Sequence, residues 1–127
     1  MSGKTYDLNK LSTLGKFDIG VSTRFFYKTQ DYFDALTHFV EHFNRELRNY
    51  TPAFVVNSDD NRNEFIKECF EIRAEFMRLG MDDLLEALTT LENAAISKQE
   101  KAFSDGQIKF RATINIYKDA INQSRYP

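Results

Sequence analysis

His38 and His42 are one helical turn apart, a spacing at which two imidazoles share one face of a helix and could hold a transition metal. Two ligands on an open surface make a weak site, and the carboxylate-bridged di-metal bundles use Glu-x-x-His pairs on facing helices. No Glu stands three residues before either histidine, so no metal site is expected. The lone cysteine, Cys69, excludes an internal disulfide and a cysteine-rich zinc site. Gly3-Lys4-Thr5 lacks the upstream glycine and the strand of a phosphate-binding loop. Asp59-Asp60 and Asp82-Asp83 read as turn and cap residues. Nothing in this set makes a catalytic constellation, so neither enzymatic activity nor a cofactor is expected.

The elements that carry these residues follow from composition and periodicity. The chain has 127 residues, enough for one domain with one core, and residues 1–127 are read as a single unit. Its net charge of −2 gives no basic excess that would suit a nucleic-acid partner. No apolar run reaches the ~20 residues needed to cross a bilayer, and Met1 to Asp7 has no apolar leader core. These features point to a cytoplasmic protein without a membrane partner. Only two prolines and five glycines interrupt long periodic segments, which argues for an all-helical domain.

Leu8, Leu11 and Leu14 predict a short helix over 6–14 ended by Gly15, and residues 17–26 read as a second short piece. Tyr32, Phe33, Leu36, Phe39, Val40, Phe43 and Leu47 form one stripe at about 100° per residue, predicting a helix over 30–49 with Thr29 as its cap. Residues 50–60, with Pro52, read as a connection. Asn61 and Glu64 fit a capping box opening a helix over 61–79, which Gly80 stops. Asp82 or Asp83 caps a helix over 83–97 with Leu84, Leu88, Leu91 and Ala95 on one face. A last helix over 99–122 carries Phe103, Phe110, Ile114, Tyr117 and Ile121 on one side. Four long amphipathic helices with short connections predict an antiparallel four-helix bundle with a short extra N-terminal helix.

On the helix over 61–79, Phe65, Ile72 and Phe76 cluster around Cys69, so Cys69 is expected to be a buried, inert thiol. Phe70 lies about 100° away, at the edge of that stripe, where its ring either stands exposed or folds over the core. Ile66, Ala74 and Met77 lie near it along one ridge, rimmed by Glu71, Arg73 and Arg78. On the last helix Ile108, Ala112 and Ile116 form a row opposite the core stripe. That row is a second candidate interface, for a second copy or a neighbouring domain, unless Gly106 bends the helix and buries part of it.

The segment Cys69-Phe70-Glu71-Ile72-Arg73-Ala74, followed by Leu79-Gly80 and a Leu-rich segment, resembles the signature of the histidine-containing phosphotransfer (HPt) domains of two-component signalling. That signature runs Ala-His-x-Leu-Lys-Gly, then Leu-Gly, then a helix with a Leu-Glu pair. Phe17-Asp18-Ile19 and the later Tyr32-Phe33-x-x-Leu36 resemble the family's entry region. The resemblance covers nearly the whole chain and puts Phe70 in the place of the phosphoacceptor histidine. Phenylalanine has no lone pair to attack phosphorus, so the resemblance implies a scaffold without phosphotransfer. Arg73 stands at the family's Lys and Ala74 at its Gly.

What the resemblance implies is a non-catalytic binding module in phosphorelay signalling. It would dock a response-regulator receiver domain, or modulate a histidine kinase, through Phe70, Arg73, Ala74, Met77 and Ile66. The alternative is a structural or dimerising helical bundle that tethers a larger protein. His38 and His42 face away from the core stripe of their helix and lack the Lys-Gly surroundings of the family's acceptor, so neither replaces the missing histidine.

Overall fold

The computed structural model describes residues 3–43, 47 and 50–127, with residues 21–23 as backbone alone. The described residues are helical with no strand: α1 (Leu8–Leu14), α2 (Ile19–Phe25), α3 (Thr29–His42), α4 (Pro52–Val56), α5 (Asp59–Leu79), α6 (Asp82–Ile96) and α7 (Glu100–Ser124). Helix α3 packs on α5 and α7, α5 packs on α6, and α6 packs on α7. The short helices close the outside: α1 lies on α7, α2 on α3 and α5, and α4 on α5, α6 and α7. The termini meet, with the Asp7 N–H donating to the Ser124 carbonyl at 2.8 Å and the Tyr126 N–H to the Thr5 carbonyl at 3.0 Å.

Phenylalanine rings fill the centre. Phe39 stacks on Phe43 with ring centres 4.9 Å apart, and Phe65 meets Phe103 edge-on at 5.2 Å. Phe76 lies 6.4 Å from Phe39 and 6.1 Å from Phe110, tying α3, α5 and α7 through one ring. Edge-on and offset ring pairs add stabilisation of about 0.5–1.5 kcal/mol each beyond area burial. Gly106 lets α6 and α7 approach closely, since a Cβ there would lie 3.0 Å from Leu91 Cδ2. Helix α7 nevertheless runs unbroken through Gly106, so the glycine serves packing and produces no bend that buries the Ile108 row.

The helix expected over 30–49 is shorter. It begins at Thr29, with Lys28 in the cap position, so Thr29 is no cap. It ends at His42, where Phe43 turns extended (φ −74°, ψ 110°), and Leu47 is left-handed at φ 57°. Residues 44–46, 48 and 49 of that expectation lie outside the described residues. The chain beyond the stop is held by tertiary contacts. Phe43 and Leu47 are both buried, and the Gln107 carboxamide of α7 donates to the carbonyls of Leu47 (3.1 Å) and Tyr50 (2.6 Å). Those carbonyls satisfy a buried polar side chain instead of a continuing helix.

The expected connection over 50–60 holds a helix of its own, α4, capped by Thr51 and started by Pro52. Helix α5 starts earlier than expected, because Ser58 rather than Asn61 caps it. The Ser58 Oγ accepts from the Asn61 N–H at 3.3 Å, and the Asn61 side chain instead donates to the Phe54 carbonyl at 3.2 Å. Gly80 ends α5 in the left-handed region (φ 69°). The Met81 N–H reaches back to the Phe76 carbonyl at 3.1 Å. That closure puts Met81 in the cap position of α6, so Asp82 and Asp83 occupy its first turn and neither caps it.

A candidate docking face on the fifth helix

Helix α5 presents two different sides. Phe65, Cys69, Ile72, Phe76 and Leu79 are buried against the other helices. One residue on from Cys69, Phe70 is 73% exposed. Its ring stands outside and does not fold over the core, which resolves the two orientations open to a stripe-edge residue. Met77 is 45% exposed, Ala74 is exposed and Ile66 is half-buried. Ile66, Phe70, Ala74 and Met77 thus form an apolar ridge along the outer side of α5. The exposed carbon surface of Phe70 and Met77 carries no charge, so covering it releases water.

Arg73 flanks the ridge differently from the expected open rim. Its guanidinium is ion-paired with the carboxylate of Glu92 on α6, and both side chains are mostly sheltered. The Arg73 cation is therefore engaged within the fold. Sequence reasoning missed Glu92 as part of this site. The signal was present: Glu92 follows Leu88 and Leu91 at the edge of the α6 core stripe, and a carboxylate so placed calls for a cation on the neighbouring helix. Arg78, at the other side, lies over the Phe26 ring at 5.8 Å, linking the end of α5 to the segment after α2. Glu71 and Lys67 remain exposed at the rim.

The other groups with chemical potential lie elsewhere. Cys69 is fully buried, and burial pushes its thiol up to about 12, with the Arg73 charge opposing and Glu68 adding to the rise. It stays a thiol near neutral pH and serves as a small core residue. His38 and His42 are exposed on α3 with ring centres 4.8 Å apart, beside Glu41. The Lys4 ammonium, 2.8 Å from the Glu41 carboxylate, holds that carboxyl below its usual range. Among the described residues no three potential ligands gather around one point.

On α7, Ile108 (60%), Ala112 and Ile116 (57%) are all exposed, so the second row also faces outward. No described helix is long and apolar enough to cross a membrane. No protein-family model matches the sequence, and comparisons with curated proteins and with solved structures find no match.

Proposed function

We propose that this chain is a degenerate HPt-like domain that binds a signalling partner without passing phosphate. In this reading α3, α5, α6 and α7 are the antiparallel four-helix bundle and α1 is the short extra N-terminal helix. The cyclic packing of those four helices, each on the next, supports that assignment. The partner is a response-regulator receiver domain or a histidine kinase of a cytoplasmic phosphorelay. The single observation that carries the proposal is the exposure of Phe70 at the place where the family's signature has its histidine.

The physics favours binding over chemistry. An outward Phe covered by a partner contributes roughly 1.5–3 kcal/mol, and Met77 and Ala74 extend the contact along the same ridge. Phosphoryl transfer needs a nucleophile, and a phenyl ring offers none. Arg73, held by Glu92, contributes to the architecture of the α5–α6 pair and leaves the ridge apolar.

A panel of purified receiver domains tests the proposal by pull-down and calorimetry. Binding by one member that is lost in Phe70→Glu and Met77→Glu, with helical content unchanged, is the expected result. Binding unaffected by either change removes the ridge from the interface. A Phe70→His variant is expected to take phosphate from a phosphorylated receiver. A folded, still-docking Phe70→His that never labels counts against the HPt alignment, and phosphohistidine on the unaltered chain overturns the non-catalytic reading.

A further inference from the structure

We propose that the outer face of α7 is a self-association surface, on which α7 of a second copy packs antiparallel about a two-fold axis at Ala112. The inference is independent of the docking ridge, which lies on α5. Around Ala112, at about 100° per residue, the residues within roughly 40° of its direction include Lys101, Asp105, Ile108, Ile116 and Asp119. Every one of them is exposed, so the stripe is unobstructed along the helix.

Two features of this stripe select a second copy and an orientation. The first is its shape. Ile108, Ala112 and Ile116 are spaced symmetrically, with the smallest side chain in the middle. An antiparallel copy lays each Ile108 level with Ile116 of the other chain, while the alanines allow the backbones to come close. The second is its charge. In that arrangement Lys101 lies on the same flank as Asp119 of the second copy, about 6 Å away along the axis, and the two-fold makes this pair twice. Asp105 comes level with the same Asp119, and Lys101 and Lys109 stand four residues to either side of Asp105 on its own helix. Each end of the interface therefore gathers two cations and two anions. A parallel copy sets Lys101 against Lys101 and Asp119 against Asp119, which like-charge repulsion disfavours. A single helix-to-helix contact falls in the small class of interfaces, below about 1,200 Å² in total, so the dimer is a weak and reversible one.

Sedimentation of the full chain from about 10 μM to about 1 mM reads the association. A reversible monomer–dimer equilibrium is expected, abolished by Ile108→Glu at an exposed helical position that leaves folding intact. Lys101→Glu is expected to raise the dissociation constant about fivefold, and Asp119→Lys added to it to restore the association. Mild oxidation reads the orientation. Ala112→Cys on the axis is expected to link two chains, while Gln123→Cys, far from its own counterpart in the antiparallel arrangement, is not. The native Cys69 is buried and adds no background. A monomer across the whole range, a dimer that survives Ile108→Glu, or linking at 123 equal to that at 112 overturns the proposal.

Discussion

Arg73 of α5 and Glu92 of α6 are joined as an ion pair on the flank of the apolar ridge formed by Ile66, Phe70, Ala74 and Met77. The pair couples two aspects of the molecule. It links α5 to α6, and it withdraws the Arg73 cation from the outer face, while Lys67 and Arg78 stay exposed beside the ridge. An apolar ridge next to a neutralised arginine suits contact with carbon surface better than contact with a free anion.

Breaking this pair from one side destabilises the fold. Arg73→Ala and Glu92→Gln are each expected to cost about 1–2 kcal/mol in urea unfolding, less than for a fully buried pair because Arg73 retains some solvent. The double variant is expected to cost less than the sum of the two. Strict additivity in the double-mutant cycle would show that the two groups do not interact.

Phe70 and Phe76 share a helix and differ only in which way they face. Phe76→Ala removes a fully buried ring in contact with α3 and α7 and is expected to cost about 3–5 kcal/mol. Phe70→Ala is expected to stay within about 0.5 kcal/mol of the parent. A large loss for Phe70→Ala in chemical denaturation would mean that its ring is part of the core.

Gly80→Ala is expected to cost about 1 kcal/mol or more, because Gly80 is left-handed at φ 69° and a Cβ disfavours that conformation. The turn it makes also presents the Gly80 carbonyl to the Asp18 N–H at 2.7 Å. Thermal unfolding checks the value, and an unchanged midpoint would contradict the left-handed stop.

Stability is expected to fall on the alkaline side. Burial raises the Cys69 thiol from 9.0 to about 12 and pushes the Tyr50 and Tyr117 phenols up as well. A folded-state pKa above the unfolded one favours the neutral thiol in the native protein. The contribution of Cys69 is therefore complete below about pH 9 and is lost as pH climbs towards 12. Urea midpoints are expected to drop between pH 8.5 and pH 11, and part of the drop should vanish in Cys69→Ala. A thiol reagent is expected to label Cys69 only on unfolding; rapid labelling of the native chain would contradict its burial.

Much of this protein is local information that periodicity carries. The burial of Cys69, the stop at Gly80 and the core stripes of α6 and α7 follow from apolar spacing and from one glycine, because a helix of fixed pitch turns spacing into a face. The same spacing misleads over 43–49. Phe43 and Leu47 keep the helical pattern, yet the described helix has ended at His42, and side chains of α7 hold the carbonyls beyond it, Lys118 that of Phe43 and Gln107 those of Leu47 and Tyr50. The choice of Ser58 over Asn61 as cap comes with contacts to the preceding helix, for Asn61 and the buried Arg62 both reach back to carbonyls of α4.

At the candidate site the division is the same. The sequence alone determined that Phe70 stands about 100° from Cys69, at the edge of the core, and that no imidazole occupies its place. Only the tertiary structure decided that its ring points into solvent and that Arg73 is engaged by Glu92. An edge position is compatible with either side of a helix. Which side it takes depends on whether a neighbouring helix supplies a surface to cover it, and among the described residues none does so.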